Sequence, residues 1–435
     1  MKALITIALS AVFIGGLAIG INMGANNESL ISNANAAVDE AAEPLVSPVK
    51  ARELDFYVPN TEDLKPDEMR VIACGTGMPT TRASQAAACF LVELGNGDKF
   101  IFDIGSGSAE RISSLQIPYD FLDKIFIGHL HGDHFGALGE LFIGGALMGR
   151  HVPLQVWGPS GPVPELGTAF AIQKMEEMYT WDISGRLGMT DTRGLTVEVH
   201  EFDYKGVNQV VYEGNGVTIR SWPAIHAIDG PVSFSLEWND LKFVFSSDTY
   251  PNKWFNDYAL DADLAIHECF VAVPAIVTKM GFTPEAALMV GTQIHTAPEA
   301  FGKIMSTIKP RHAVAYHFFK DFDTTSDVYE RIRKTYDGPL SLAEDFMVWN
   351  VTKEGIRERM AVVEEATWSP PLASQAFPPD LADRQAASKK LGWELGYSDF
   401  IAAGKWNVDD VLRPIYKEAS EVIGREFEYP ENENK

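Results

Sequence analysis

Residues 125–138 read IFIGHLHGDHFGAL. Three histidines and an aspartate, His129, His131, Asp133 and His134, fall within six residues of a chain that holds 10 histidines in all. The preceding DKIFIG has the β-branched and aromatic texture of a strand. His129 and His131 follow it at i, i+2 spacing, so in an extended segment they project to the same side. Gly132 permits a turn, and Asp133 and His134 then stand near the start of a helix running through FGALGELFIGGAL. One short loop therefore aims four donors into one cleft. Imidazole nitrogens with a carboxylate suit zinc, or manganese or iron.

Three more donors stand where later strands end. SWPAIHAIDG places His226 after a strand, KFVFSSDTY places Asp248 after another, and AVAYHFFKD places His317 after a third. Together they complete two coordination spheres. His129, His131 and His226 would hold one divalent ion; Asp133, His134 and His317 would hold the other; Asp248 would bridge them. Two such ions acidify a shared water and clamp the oxygens of an electrophilic centre. The resulting hydroxide is the expected nucleophile, and Asp133 is placed to accept a proton from the water.

His-x-His-x-Asp-His followed by a distant His, an Asp in SSDT and a final His resembles the metallo-β-lactamase fold superfamily. Within it the chain is most similar to the tRNase Z and arylsulfatase type. The stretches that carry this are GTGMP (75–79), FDIGSGS (102–108), VWGPSG (156–161), LAIHECF around His267 and Glu268, and HTAPEA from His295. The resemblance implies an α/β fold, a four-layered αββα sandwich with its site at one edge of the sheets. It also implies that Asp103 braces the histidine loop from behind, and that His295 and Glu268 form an acid pair that protonates the leaving group. His151, His200, His267 and His312 are read as structural. The glycines of GTGMP do not form a nucleotide-binding P-loop, because no Gly-Lys-Ser/Thr follows.

The rest of the chain sets limits on the substrate. Its 36 basic against 60 acidic side chains give a formal net charge of -24, a field that repels phosphate backbones and anionic membranes. No Lys/Arg-rich run marks a basic groove, so no nucleic-acid partner is expected. The start, MKALITIALSAVFIGGLAIG, is a lysine followed by an apolar run. With the small-residue stretch ANAA behind it, it reads as a signal peptide over residues 1–36 or as an uncleaved N-terminal anchor. The protein is accordingly expected in the periplasm or secreted, or else anchored and facing outward.

Residues 37–68 read as a linker, 69–351 as the hydrolase domain and 352–435 as a C-terminal extension, rich in proline and then in aromatics. That extension is expected to pack on the domain or on a second subunit of a homodimer. Cys74, Cys89 and Cys269 read as buried thiols, with a Cys74–Cys89 bridge the alternative. Met178, Tyr179, Trp181 and Asp182 are candidates to face a substrate. The leading expectation is an exported dinuclear hydrolase of a small phosphodiester or aryl sulfate ester, with two divalent ions, zinc first. A lactonase or β-lactamase-like hydrolase, and a non-catalytic binding protein on the same fold, are the alternatives.

Overall fold

The computed structural model describes residues 55–187, 190–372 and 398–430, with a few positions between 385 and 392. The signal peptide or anchor over residues 1–36 and most of the 37–68 linker lie outside the described residues, as do Trp393 and Tyr397, two aromatics of the C-terminal extension expected to serve its packing. Among the described residues, no helix is long and apolar enough to cross a membrane.

Among the described residues, sixteen strands form two sheets. The first contains β1 (Phe56–Tyr57), β2 (Met69–Gly75), β3 (Cys89–Leu94), β4 (Lys99–Phe102), β5 (Lys124–Phe126), β6 (Leu154–Pro159) and β7 (Val197–Phe202). The second contains β8 (Gln209–Gly214), β9 (Val217–Pro223), β10 (Val232–Trp238), β11 (Leu241–Phe245), β12 (Leu264–Glu268), β13 (His312–Tyr316) and β14 (Leu340–Leu342). The chain then returns to the first sheet with β15 (Met347–Val351) and β16 (Ile356–Ala361). The strand orders are β1-β16-β15-β2-β3-β4-β5-β6-β7 and β14-β13-β12-β11-β10-β9-β8.

Alternation along the strands explains the layering. Val71 and Ala73 of β2 join Phe90, Phe102 and Phe126 against Phe234, Phe243, Phe245 and Tyr316 of the second sheet. The intervening Ile72 and Cys74 turn the other way, onto Ile112, Leu141 and Phe142 of helices Ser108–Ser114 and Leu138–Leu147. On the far side, Val244, Ala265 and Ala313 pack under Phe255, Phe301 and Met305. Period-two side chains thus feed three apolar layers between four layers of structure, as the αββα expectation requires. Strands buried on both faces, such as β2 and β3, read as continuous apolar runs.

Two boundaries move. β1 pairs in parallel with β16, Phe56 opposite Met360, and β16 pairs with β15. Residues 56–57 and 356–361 therefore belong to the first sheet, not to a linker and an extension. Beyond it, Ser369 is buried and donates through its hydroxyl to the Ser113 carbonyl at 3.3 Å. The helix Asp409–Ile423 leaves Leu412, Ile415, Val422 and Ile423 exposed. All three cysteines are free and buried; no Cys74–Cys89 bridge is present.

β4, β5, β6 and β7 run parallel, and so do β11, β12, β13 and β14. Parallel strands end on the same side. The loops after β4, β5, β11, β12 and β13 therefore converge along one edge of the sandwich.

Candidate metal centre

The loop after β5 runs through Gly128 to His131, and His131 caps a four-residue helix, Gly132–Phe135. This helix breaks at Gly136 before Leu138–Leu147, where the sequence predicted one continuous helix. Gly128 has a spatial reason: a Cβ there would sit 2.3 Å from the Cβ of Ser247. Its bareness lets the loop after β11 press against the histidine loop.

The four donors of IFIGHLHGDHFGAL meet the three from the later strand ends. His129 Nε2 and His226 Nε2 lie 3.1 and 3.2 Å from His131 Nδ1, and 3.9 and 3.7 Å from Asp248 Oδ2. In the neighbouring cluster, His134 Nε2 lies 3.4 Å from Asp133 Oδ2 and 3.2 Å from Asp248 Oδ1. His317 Nε2 lies 3.1 Å from Asp133 Oδ2 and 3.2 Å from Asp248 Oδ2. Four donors about 2.0–2.1 Å from a tetrahedral ion are separated by about 3.3 Å. The distances of the second cluster and the imidazole distances of the first have that spacing; Asp248, at 3.9 and 3.7 Å from His129 and His226, stands slightly farther out in the first and belongs to both. His134 Nε2 and Asp248 Oδ1 are buried with no hydrogen-bond partner. Orphaned lone pairs turned toward one another are what a cation would satisfy, so the donor set fits divalent metal.

The protonation states point the same way. Burial pushes His129 well below its ordinary value and His226 down to about 4, which leaves neutral imidazoles with free lone pairs. Burial opposes ionisation of Asp133 and Asp248, but His134 and His317 outweigh it and hold both below the carboxylate range. His134 goes the other way. Burial would lower it, yet Asp248, Asp133 and Asp103 together raise it well above the ordinary histidine value. A proton and a metal ion compete for its Nε2.

Behind the donors stands a second set of contacts. Asp103, fully buried with φ 56, accepts from the Gly128 N–H at 2.7 Å, His134 Nδ1 at 2.6 Å and the Ser247 hydroxyl at 2.9 Å. These bonds fix the His134 tautomer and tie the β4, β5 and β11 loops together. Ser247, with φ 50, also lies 3.1 Å from His129 Nδ1. Its part was not read from the sequence, though SSDT held the signal: a serine beside a bridging aspartate. Glu268, at the end of β12, accepts from the Thr249 N–H and from His295 Nδ1, each at 3.0 Å. Burial raises Glu268. For His295 burial is opposed and outweighed by Glu268, so its pKa lies above the usual histidine range. His295 Nδ1 stands 3.8 Å from Asp248 Oδ2, so the pair can hold a proton at the centre.

The four histidines read as structural have other partners. His267 bonds the Glu268 carbonyl, His312 the Ser341 hydroxyl, His151 pairs with Asp120, and His200 stacks on Trp157. The expected substrate-facing residues are not among those lining the cavity beside the imidazoles. Met178 and Trp181 are 70% and 86% exposed, Tyr179 packs against Gly139, and Asp182 pairs with Arg186 on its own helix. The cavity beside the imidazoles is walled instead by Pro159, Ser160, Glu165, Leu166 and residues 226–231.

A further residue, unpredicted, holds His317. Its φ is 74, and its N–H donates to the Thr76 carbonyl at 2.9 Å. Asp345 anchors that loop by accepting from the Thr76 N–H and hydroxyl, the Ala86 N–H and Arg111. Replacing Asp345 with Ala strands several buried donors. The expected result is a loss of about 2–4 kcal/mol in denaturant titration, with reduced metal content; D345N is expected to recover part of both.

With this geometry in hand, comparison with known proteins assigns the class. A family profile described as "Anti-Pycsar protein Apyc1" matches residues 69–279. Ribonuclease Z of Mycobacterium sp. (strain KMS) is 31% identical over 204 residues, 46% of this chain and 68% of that protein. Ribonuclease Z of Bacteroides fragilis (strain YCH46) is 32% identical over 163 residues, 37% and 46% of the two. The metallo-β-lactamase fold protein YhfI from Bacillus subtilis superimposes with a TM-score of 0.49 at 18% identity, covering 66% of this chain and all of that one. The chain belongs to the metallo-β-lactamase fold superfamily and, within it, to the ribonuclease Z type. It is a metal-dependent hydrolase of ester bonds.

Proposed function

We propose that this protein is an exported hydrolase with two divalent ions, zinc first, acting on a small phosphodiester or aryl sulfate ester. The observation that carries the dinuclear reading is the sharing of Asp248 between two four-donor clusters. When bound, the ions supply Lewis acidity and an acidified water. His129, His131 and His226 would hold one, and Asp133, His134 and His317 the other.

The chain's own groups move the protons. Hydrolysis forms a bond from water oxygen to phosphorus or sulfur and breaks the bond to the leaving oxygen. Asp133, held ionised, accepts the proton of the attacking water. His295, kept protonated by buried Glu268, donates one to the leaving oxygen. A net charge of -24 supports a small substrate over a polynucleotide. The same repulsion motivates the expectation of no nucleic-acid partner.

The test is a panel on purified protein loaded separately with zinc, manganese and iron: a bis-aryl phosphate, an aryl sulfate, a lactone, a cephalosporin and an RNA hairpin. Turnover of the first or second, abolished by chelation and restored by metal, is the expected result. Preferred cleavage of the lactone, cephalosporin or RNA would replace the substrate proposal. No turnover and no retained metal would sink it.

The acid role is separable. H295A is expected to lose about 10²–10³-fold in kcat with an alkoxide leaving group and less than about tenfold with 4-nitrophenolate, which needs little protonation. Equal losses with both leaving groups would assign His295 another task.

A further inference from the structure

A cavity of about 300 Å³ opens beside His129, His131 and His226. Pro159, Leu166, Ile228 and Pro231 give it apolar walls, and Glu165 and Asp229 are its charged members; among the described residues no lysine or arginine lines it. Leu166 and Ile228 stand exposed beside a polar centre, where bare aliphatic surface has no folding role. The volume is at the small end for ligand pockets. It admits one ring or a short alkyl group next to the reacting centre, not a nucleotide chain.

We infer that this cavity receives the substituent of the ester that does not leave, and that this substituent is small, apolar and free of negative charge. The inference rests on the hydrolase reading above and narrows its substrate. Apolar walls take a neutral aryl or alkyl group out of water. Glu165 and Asp229 tolerate a cationic group and repel an anionic one, by about tenfold or more in partly screened surroundings. The tolerance explains how a strongly acidic protein can serve an ester whose own reacting group is already anionic: the substrate carries no second negative charge to the cavity.

The test compares three esters with one leaving group in the zinc-loaded full-length protein: 4-nitrophenyl phenyl phosphate, its 4-carboxyphenyl analogue and 4-nitrophenyl phosphocholine. Calorimetric binding of phenylphosphonate and 4-carboxyphenylphosphonate gives a readout independent of turnover. The expected result is a kcat/KM at least about tenfold lower for the carboxyphenyl ester, with phosphocholine accepted. The same order is expected in phosphonate affinity. The variant E165Q/D229N is expected to shrink the discrimination in both measurements, and I228D to weaken the neutral aryl ligands. Turnover with equal kcat/KM and equal affinities, or discrimination unmoved by E165Q/D229N, would overturn the inference. Discriminating phosphonate binding with no ester turned over would instead overturn the hydrolase reading and leave the cavity's selectivity standing.

Discussion

D248N is expected to lose bound metal and on the order of 10³-fold in kcat/KM, about 4 kcal/mol of transition-state stabilisation. Asp248 is buried, and its carboxylate reaches both clusters: Oδ1 toward His134 and Oδ2 toward His317 in one, Oδ2 toward His129 and His226 in the other. An asparagine has nearly the same shape but no charge, and one oxygen becomes an amide N–H₂ aimed at imidazole lone pairs. Both clusters are disturbed at once. Metal analysis of the purified variant beside its steady-state kinetics checks this. Full occupancy with wild-type activity would show that Asp248 is not shared between two ions.

D103A is expected to cost about 3–5 kcal/mol of stability and to weaken metal retention about 10–100-fold. Asp103 touches no substrate. Its carboxylate accepts three buried hydrogen bonds, from Gly128, His134 and Ser247, and alanine leaves all three donors unpaired in a dry interior. D103N keeps one acceptor oxygen and is expected to fall between the two. Chemical denaturation of the metal-free forms separates the folding loss from the metal loss. A D103A variant as stable as the parent without metal would mean that the three loops are held by something else.

These variants also mark how legible the protein was in its sequence. Asp133 and the histidines of 129–134 were visible because one short loop carries them. His226, Asp248 and His317 were visible because each follows an apolar run that could only be a strand. β1 and β16 were missed for the opposite reason. A two-residue FY has no period to read, and IRERMA is half polar because it lies near a sheet edge. Their identity as strands depends on pairing across roughly the whole length of the domain. Met178 and Trp181 were expected to face a substrate; they stand exposed and do not line the cavity beside the imidazoles.

What the sequence determined by itself is the donor chemistry and the layering. Residue type sets which atoms can bind a cation, and period-two alternation sets which side chains face which layer. What only the tertiary structure decided is the part that Ser247 and Asp345 play in holding the donors, and the wall of the cavity. Thr76 and Asp345 are 269 positions apart, and Asp103 and Ser247 are 144 apart. Such contacts arise because parallel strands of two stacked sheets end along one edge and bring their loops together. Local spacing carries no trace of that convergence.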